Sequence, residues 1–244
     1  MFRQLSPTLL AMLLLTGACK KEEPSVPGEP PSAAARLRLL HRVDGLPLTF
    51  DTLAYTNEAG NPYDVSRLEY YLSELVLYGS GGTANDTLHG PWYINGRETT
   101  ELDPGDLPLG TYSGASVLLG LPPALNVTGA LPNTLDNINM AWPVPMGGGY
   151  HFMKFEGHFL SGGALSGFAM HLGTDGYLPR CTLAQGFTIT DAKGALVLTF
   201  NLNEVFRAPH LYDLEAGNYS MGDTALMGRL RDNCADAFSI AYQP

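Results

Sequence analysis

The sequence predicts an all-β fold, a β-sandwich with short helical insertions, and three observations carry the prediction. Short apolar or alternating runs recur between turn signals. Glycine and proline are abundant, at 28 and 18 of 244 residues, while only 16% of residues are charged. No long stretch keeps the helical period. Glycine and proline favour turns and interrupt helices, so this composition suits many strands better than a few long helices.

Taken in order, residues 1–18 read as a secretion leader: Arg3 gives a positive start, and the apolar run 9–15 is too short to span a bilayer. Small residues then precede Cys19, as in the lipobox of bacterial lipoproteins, so Cys19 is the expected lipidation site and anchors the chain to a membrane. An ordinary signal peptide with an incidental cysteine is the competing reading. Residues 19–36 are rich in charge and proline, without an apolar period, and read as a flexible tether. Lys20 rather than aspartate after the cysteine points to the outer membrane, on its periplasmic or surface side.

Residues 37–244 form one expected domain. Strands are expected over 36–43, 46–55, 75–78, 111–119, 150–159, 167–172, 186–190, 195–201 and 238–242, with turns such as 57–62 and 191–194 between them. Ser66 to Glu69 forms a capping-box pattern, and Leu68, Tyr71, Leu72 and Leu75 follow at helical spacing. A short helix is therefore expected to lead into the strand at 75. A second short helix is expected from Leu202 to before Pro209.

The formal charge of −10 argues against nucleic acid, which binds through clustered Lys and Arg. With Cys19 assigned to lipid, Cys181 and Cys234 remain as an even pair in an oxidising compartment, and a disulfide is the default. Thiolate metal binding is the alternative. No G-x-S-x-G, H-E-x-x-H or P-loop pattern occurs, and the chain is read as a non-enzyme.

The chemistry concentrates in residues 139–159, where Trp142 lies between Met140 and Met146 and is followed by three glycines, His151 and His158. Imidazole and thioether suit copper. On a regular strand His151 shares a face with Met153 and Phe155, whereas His158 points the other way with Lys154 and Glu156. The two histidines then cannot hold one ion unless a bulge shifts the register, for which Gly157 is the expected place. Ordinary core packing explains the same residues equally simply. His171, opposite Phe168 and Met170 on its strand, and His41, near the end of the first strand, are further ligand candidates.

The stretches 40–51, 55–78, 140–157 and 170–173, in that order, resemble the MbnP-like family of secreted copper-binding proteins. The resemblance implies a β-rich extracytoplasmic domain that binds copper. It also implies, for some members, a dihaem peroxidase-like partner that oxidises a tryptophan to kynurenine. Trp142 matches that tryptophan in M-x-W-x-W, with Val144 standing where the second tryptophan would be. His171 matches the histidine of an H-x-G strand end and is the foremost ligand. His41 and either His151 or His158, the last two within G-Y-x-F-x-K-x-E-G, would complete the site. The reading is copper acquisition or handling; the alternative is a metal-free structural or interaction lipoprotein of the envelope.

Overall fold

The computed structural model describes residues 32–34, 36–191 and 194–244. The leader, Cys19 and most of the tether lie outside them. Residues Ser32–Ala34, at the end of the expected tether, already pair antiparallel with Asp106–Pro108, so ordered structure begins before residue 37.

The main strands are β1 (Arg36–Val43), β2 (Arg67–Ser80), β3 (Gly110–Leu119), β4 (His151–Ser161), β5 (Ala164–Gly173), β6 (Arg180–Leu183), β7 (Ala195–Asn201) and β8 (Phe238–Gln243). The larger sheet runs β6, β3, β2, β4, with β5 on the far side of β4; the smaller runs β8, β7, β1. β7 and β1 are parallel, and the other pairings among these strands are antiparallel. Tyr70 of β2 packs edge-on to His41 of β1, Phe200 of β7 and Phe238 of β8. Those contacts join the two sheets face to face, as expected for a sandwich. Helix is confined to short pieces, notably α1 (Leu135–Asn139) and α2 (Thr224–Asn233), and α2 was not foreseen. The helix expected after Leu202 is present as a 3-10 turn, Leu202–Phe206.

The helix expected at Ser66 is instead the first half of β2, and a bulge explains the misreading. Val76 and Ser73 lie opposite Ser116 and Leu118, so β2 carries one extra residue there, and Glu74 takes a φ of 49°. Burial accordingly passes from Leu68, Tyr70 and Leu72 to Leu75 and Leu77. The interval from Leu72 to Leu75 imitates a helical step. Pairing along both edges, with β4 and Trp92–Asn95 in the first half, overrides the local capping pattern.

Cys181 in β6 and Cys234 after α2 are fully buried free thiols, which corrects the expected disulfide. Burial first, then the neighbouring charges, raises both above the ordinary thiol range. Protonated and enclosed, they pack as small apolar groups.

His41 faces the core from β1 and is half-buried. Its Nε2 lies 2.8 Å from the Tyr70 hydroxyl, and burial lowers its pKa from 6.5 to about 4. A base whose folded pKa is depressed contributes stability above its unfolded value, and that contribution fades as pH falls from 6.5 toward 4. The loss expected from this residue is on the order of 3 kcal/mol at about 1.4 kcal/mol per unit. Thermal melts between pH 7 and 4.5 should show the decline. His41→Phe should flatten it, at a cost of about 1–3 kcal/mol at pH 7 for leaving the buried Tyr70 hydroxyl unpaired; an unchanged slope in the variant would contradict this account.

Candidate metal centre

The site lies on the outward face of β2, β4 and β5, where cross-strand pairing sets charged residues in two rows. Glu69, Lys154 and His171 are neighbours in one, and Arg67, Glu156 and Ala169 in the next. The opposite face of β4 and β5 carries Met153, Phe155, Phe168 and Met170 into the core. The alternation of the sequence therefore separates His171 from Phe168 and Met170 as expected.

His151 reaches the same face through a bulge at the start of β4 rather than at Gly157. His151 and Met153 lie opposite Gly173 and Leu172, which are consecutive, so β4 has one extra residue there. The phase change brings the His151 ring within 5.1 Å of the His171 ring, centroid to centroid, at 88°. Trp142 closes the other side, its ring centroid 4.7 Å from that of His151.

The segment 126–150 holds Trp142 in place by local chemistry. Gly147, Gly148 and Gly149 take φ of 112°, 70° and 82°, values that favour glycine. The amide of Gly149 donates to Thr128 Oγ1 and that of Tyr150 to Asn126 Oδ1. The Asn126-Val127-Thr128 triplet thus secures the glycine turn. The Trp142 indole donates to the Met146 carbonyl at 3.1 Å and rests on Gly173, where an added Cβ would lie 2.3 Å from Cε3. The H-x-G strand end therefore has a physical reason for its glycine.

Each histidine has one ring nitrogen engaged and one without a partner. His151 Nδ1 lies 3.1 Å from the Met140 carbonyl, and His171 Nε2 lies 2.8 Å from Glu156 Oε1. His151 Nε2 and His171 Nδ1 are buried with no hydrogen-bond partner. Burial, followed by the charges of Lys154 and His171, lowers the His151 pKa to about 3, so this imidazole is neutral at ordinary pH. Neutral imidazole is the ligating form. Lys154 is buried and donates to the Asn139 carbonyl, and Arg67 pairs with Glu69 and Glu156 at 2.7 and 3.4 Å. The surroundings thus hold two cations and two carboxylates, both carboxylates on Arg67.

The other sequence candidates lie elsewhere. His41 is bonded to Tyr70, and His158, half exposed, faces Asp64 at 3.2 Å. Among the described residues no group of three or more His, Cys, Asp and Glu is arranged to hold a metal ion. Sequence reasoning missed Arg67, Lys154, Glu156 and Gly173 as parts of this arrangement. Lys154 and Glu156, two apart on a strand, were legible as sharing a face, but Arg67 becomes their neighbour only through strand pairing.

None of the curated proteins matches this chain. The chain is similar in structure to MbnP from Methylosinus trichosporium, at a TM-score of 0.56 and 14% identity, over 87% of this chain and 99% of that one. That likeness is one of fold. The family model described as MbnP matches residues 32–223, nearly the whole described domain, and the chain belongs to the MbnP family.

Proposed function

We propose that this chain is a lipid-anchored extracytoplasmic protein that binds copper at His151 and His171 beside Trp142, serving acquisition or handling of the ion without turnover of a substrate. The observation that carries the reading is the pair of unpartnered, buried ring nitrogens on adjacent imidazoles. A buried polar atom left without a partner is costly, and a metal ion would satisfy both at once. Family membership and the resemblance to secreted copper-binding proteins support the same choice.

Two imidazoles fall short of the four-coordinate set that zinc takes in structural sites. Cu(I), a soft ion that accepts few ligands, fits better. The balanced charges around the site add no excess anion that would favour a divalent ion. Bound copper would supply a soft, redox-capable Lewis acid at this position. The chain's part is to hold the imidazoles neutral, to exclude water with Trp142 and to keep the lone pairs free. The indole of Trp142 is a donor only, so the unmodified ring is a wall rather than a ligand. Oxidation to kynurenine by a dihaem peroxidase-like partner belongs to the proposal: with peroxide as oxidant, two oxygens add across the indole C2–C3 bond, the formyl carbon leaves as formate on hydrolysis, and the aryl amine left behind would have a lone pair able to ligate.

Titration of the full chain with Cu(I) against a competing chelator, with Zn(II) as control, tests the reading. One equivalent of tightly held Cu(I) is expected, with weaker zinc; binding no better than background, or zinc held equally well, would defeat it. Peptide mass analysis of Trp142 from the native host reports its oxidation. Membrane fractionation of Cys19→Ser protein reports the anchor, and quantitative recovery with membranes would refute lipidation at that residue.

A further inference from the structure

The two histidines of the site present different nitrogens, and what fixes each choice differs. The Met140 carbonyl can only accept a hydrogen bond, so His151 carries its hydrogen on Nδ1 and leaves Nε2 as a lone pair. No side-chain substitution removes that carbonyl. His171 faces a side chain instead. Glu156 Oε1 lies 2.8 Å from His171 Nε2 and 3.4 Å from Arg67 Nη1, while Arg67 Nη2 is held 2.7 Å from Glu69 Oε2.

We infer that Glu156, held by Arg67, is a positioning residue that fixes His171 in the Nε2–H tautomer and so presents Nδ1 to the metal. An ionised carboxylate has no hydrogen to give, and the guanidinium beside it favours that ionised form. The hydrogen between the two groups therefore belongs to His171 Nε2. In a neutral imidazole the other nitrogen then carries the lone pair, and it is Nδ1 that is buried without a partner, on a ring whose centroid lies 5.1 Å from that of His151. Without the carboxylate, the ring would be free to exchange tautomers or to rotate about its side-chain bonds. In either case Nδ1 would spend less time as an acceptor held in this buried position. The backbone amide and carbonyl of His171 are held separately, by Ser220 Oγ at 2.7 and 2.8 Å, so loss of Glu156 should release the ring and leave the strand in register. The sequence carries the device in the Lys154-x-Glu156 spacing, which places the carboxylate beside the imidazole on the neighbouring strand.

The inference rests on the copper reading for its consequence but not for its geometry, and the experiment separates the two. Long-range proton–nitrogen NMR of the metal-free full chain reads each histidine's tautomer directly. Parent protein is expected to show His171 as Nε2–H and His151 as Nδ1–H. Glu156→Ala should move His171 toward a mixture while His151 stays unchanged, and Cu(I) affinity, measured against a competing chelator, should fall about 10–100-fold. Glu156→Gln, whose amide oxygen still accepts, should restore most of both. A parent His171 in the Nδ1–H form, or a Glu156→Ala variant with the parent's tautomer and affinity, would overturn the inference. If the parent binds no Cu(I), the copper reading fails, while the tautomer comparison still decides the role of Glu156. Should Glu156→Ala fail to fold, Arg67→Met provides the same comparison with the carboxylate retained but released, and the same shift in His171 is expected.

Discussion

His151→Ala and His171→Ala are each expected to lower Cu(I) affinity by more than about 100-fold, beyond what loss of a supporting residue typically costs. The other two histidine candidates offer no spare ligand, because His41 is bonded to Tyr70 and His158 to Asp64. Stability should respond far less. Removing the His171 ring deletes one hydrogen bond to Glu156, worth about 1.5 kcal/mol with a partly exposed charged acceptor, and also removes a buried nitrogen that had no partner. Chelator competition and thermal melts on the same samples check both halves. Variants that bind copper like the parent but melt early would show that the histidines are packing groups.

Gly173→Ala is expected to disturb the site without touching either imidazole. A Cβ at this position would lie 2.3, 2.6 and 2.8 Å from Cε3, Cζ3 and Cδ2 of Trp142, closer than real contacts allow. The indole has little room to withdraw, since it is buried, bonded to the Met146 carbonyl and packed against His151. Overpacking of this kind typically costs about 1–3 kcal/mol. The displaced ring should also open the candidate metal face to water and shift the tryptophan emission to longer wavelength. Trp92 contributes to the emission as well, so the comparison is best made on a Trp92→Phe background. Unchanged melting and emission would show that the close seating of Trp142 on Gly173 is not a constraint in solution.

The strands Arg36–Val43 and Ala195–Asn201 were legible to the residue, because the first nearly alternates polar and apolar residues up to Asp44-Gly45 and the second is a short apolar run that follows Gly194. β2 was not. Its capping pattern and its Leu72 to Leu75 interval are local features of a helix, and only the neighbours on both edges of the strand turn them into a bulge. The candidate metal site divides in the same way. Trp142, His151 and His171 stood out by type, and the face of His171 followed from simple alternation. His151 could not be assigned to that face from the sequence, because a single extra residue opposite Gly173 reverses the direction of its side chain.

By itself the sequence determined the class of fold, most strand positions, the family and the residues capable of binding a soft metal. These depend on composition, period and motif order, which are properties of the chain read locally. The tertiary structure decided which histidines meet, which nitrogen each leaves free, and that Arg67 and Glu156 stand behind His171. It also left Cys181 and Cys234 as separate thiols and enclosed His41 between the sheets. Such choices turn on register, and register is fixed by pairing between segments far apart in sequence, where a shift of one residue exchanges the buried face for the exposed one.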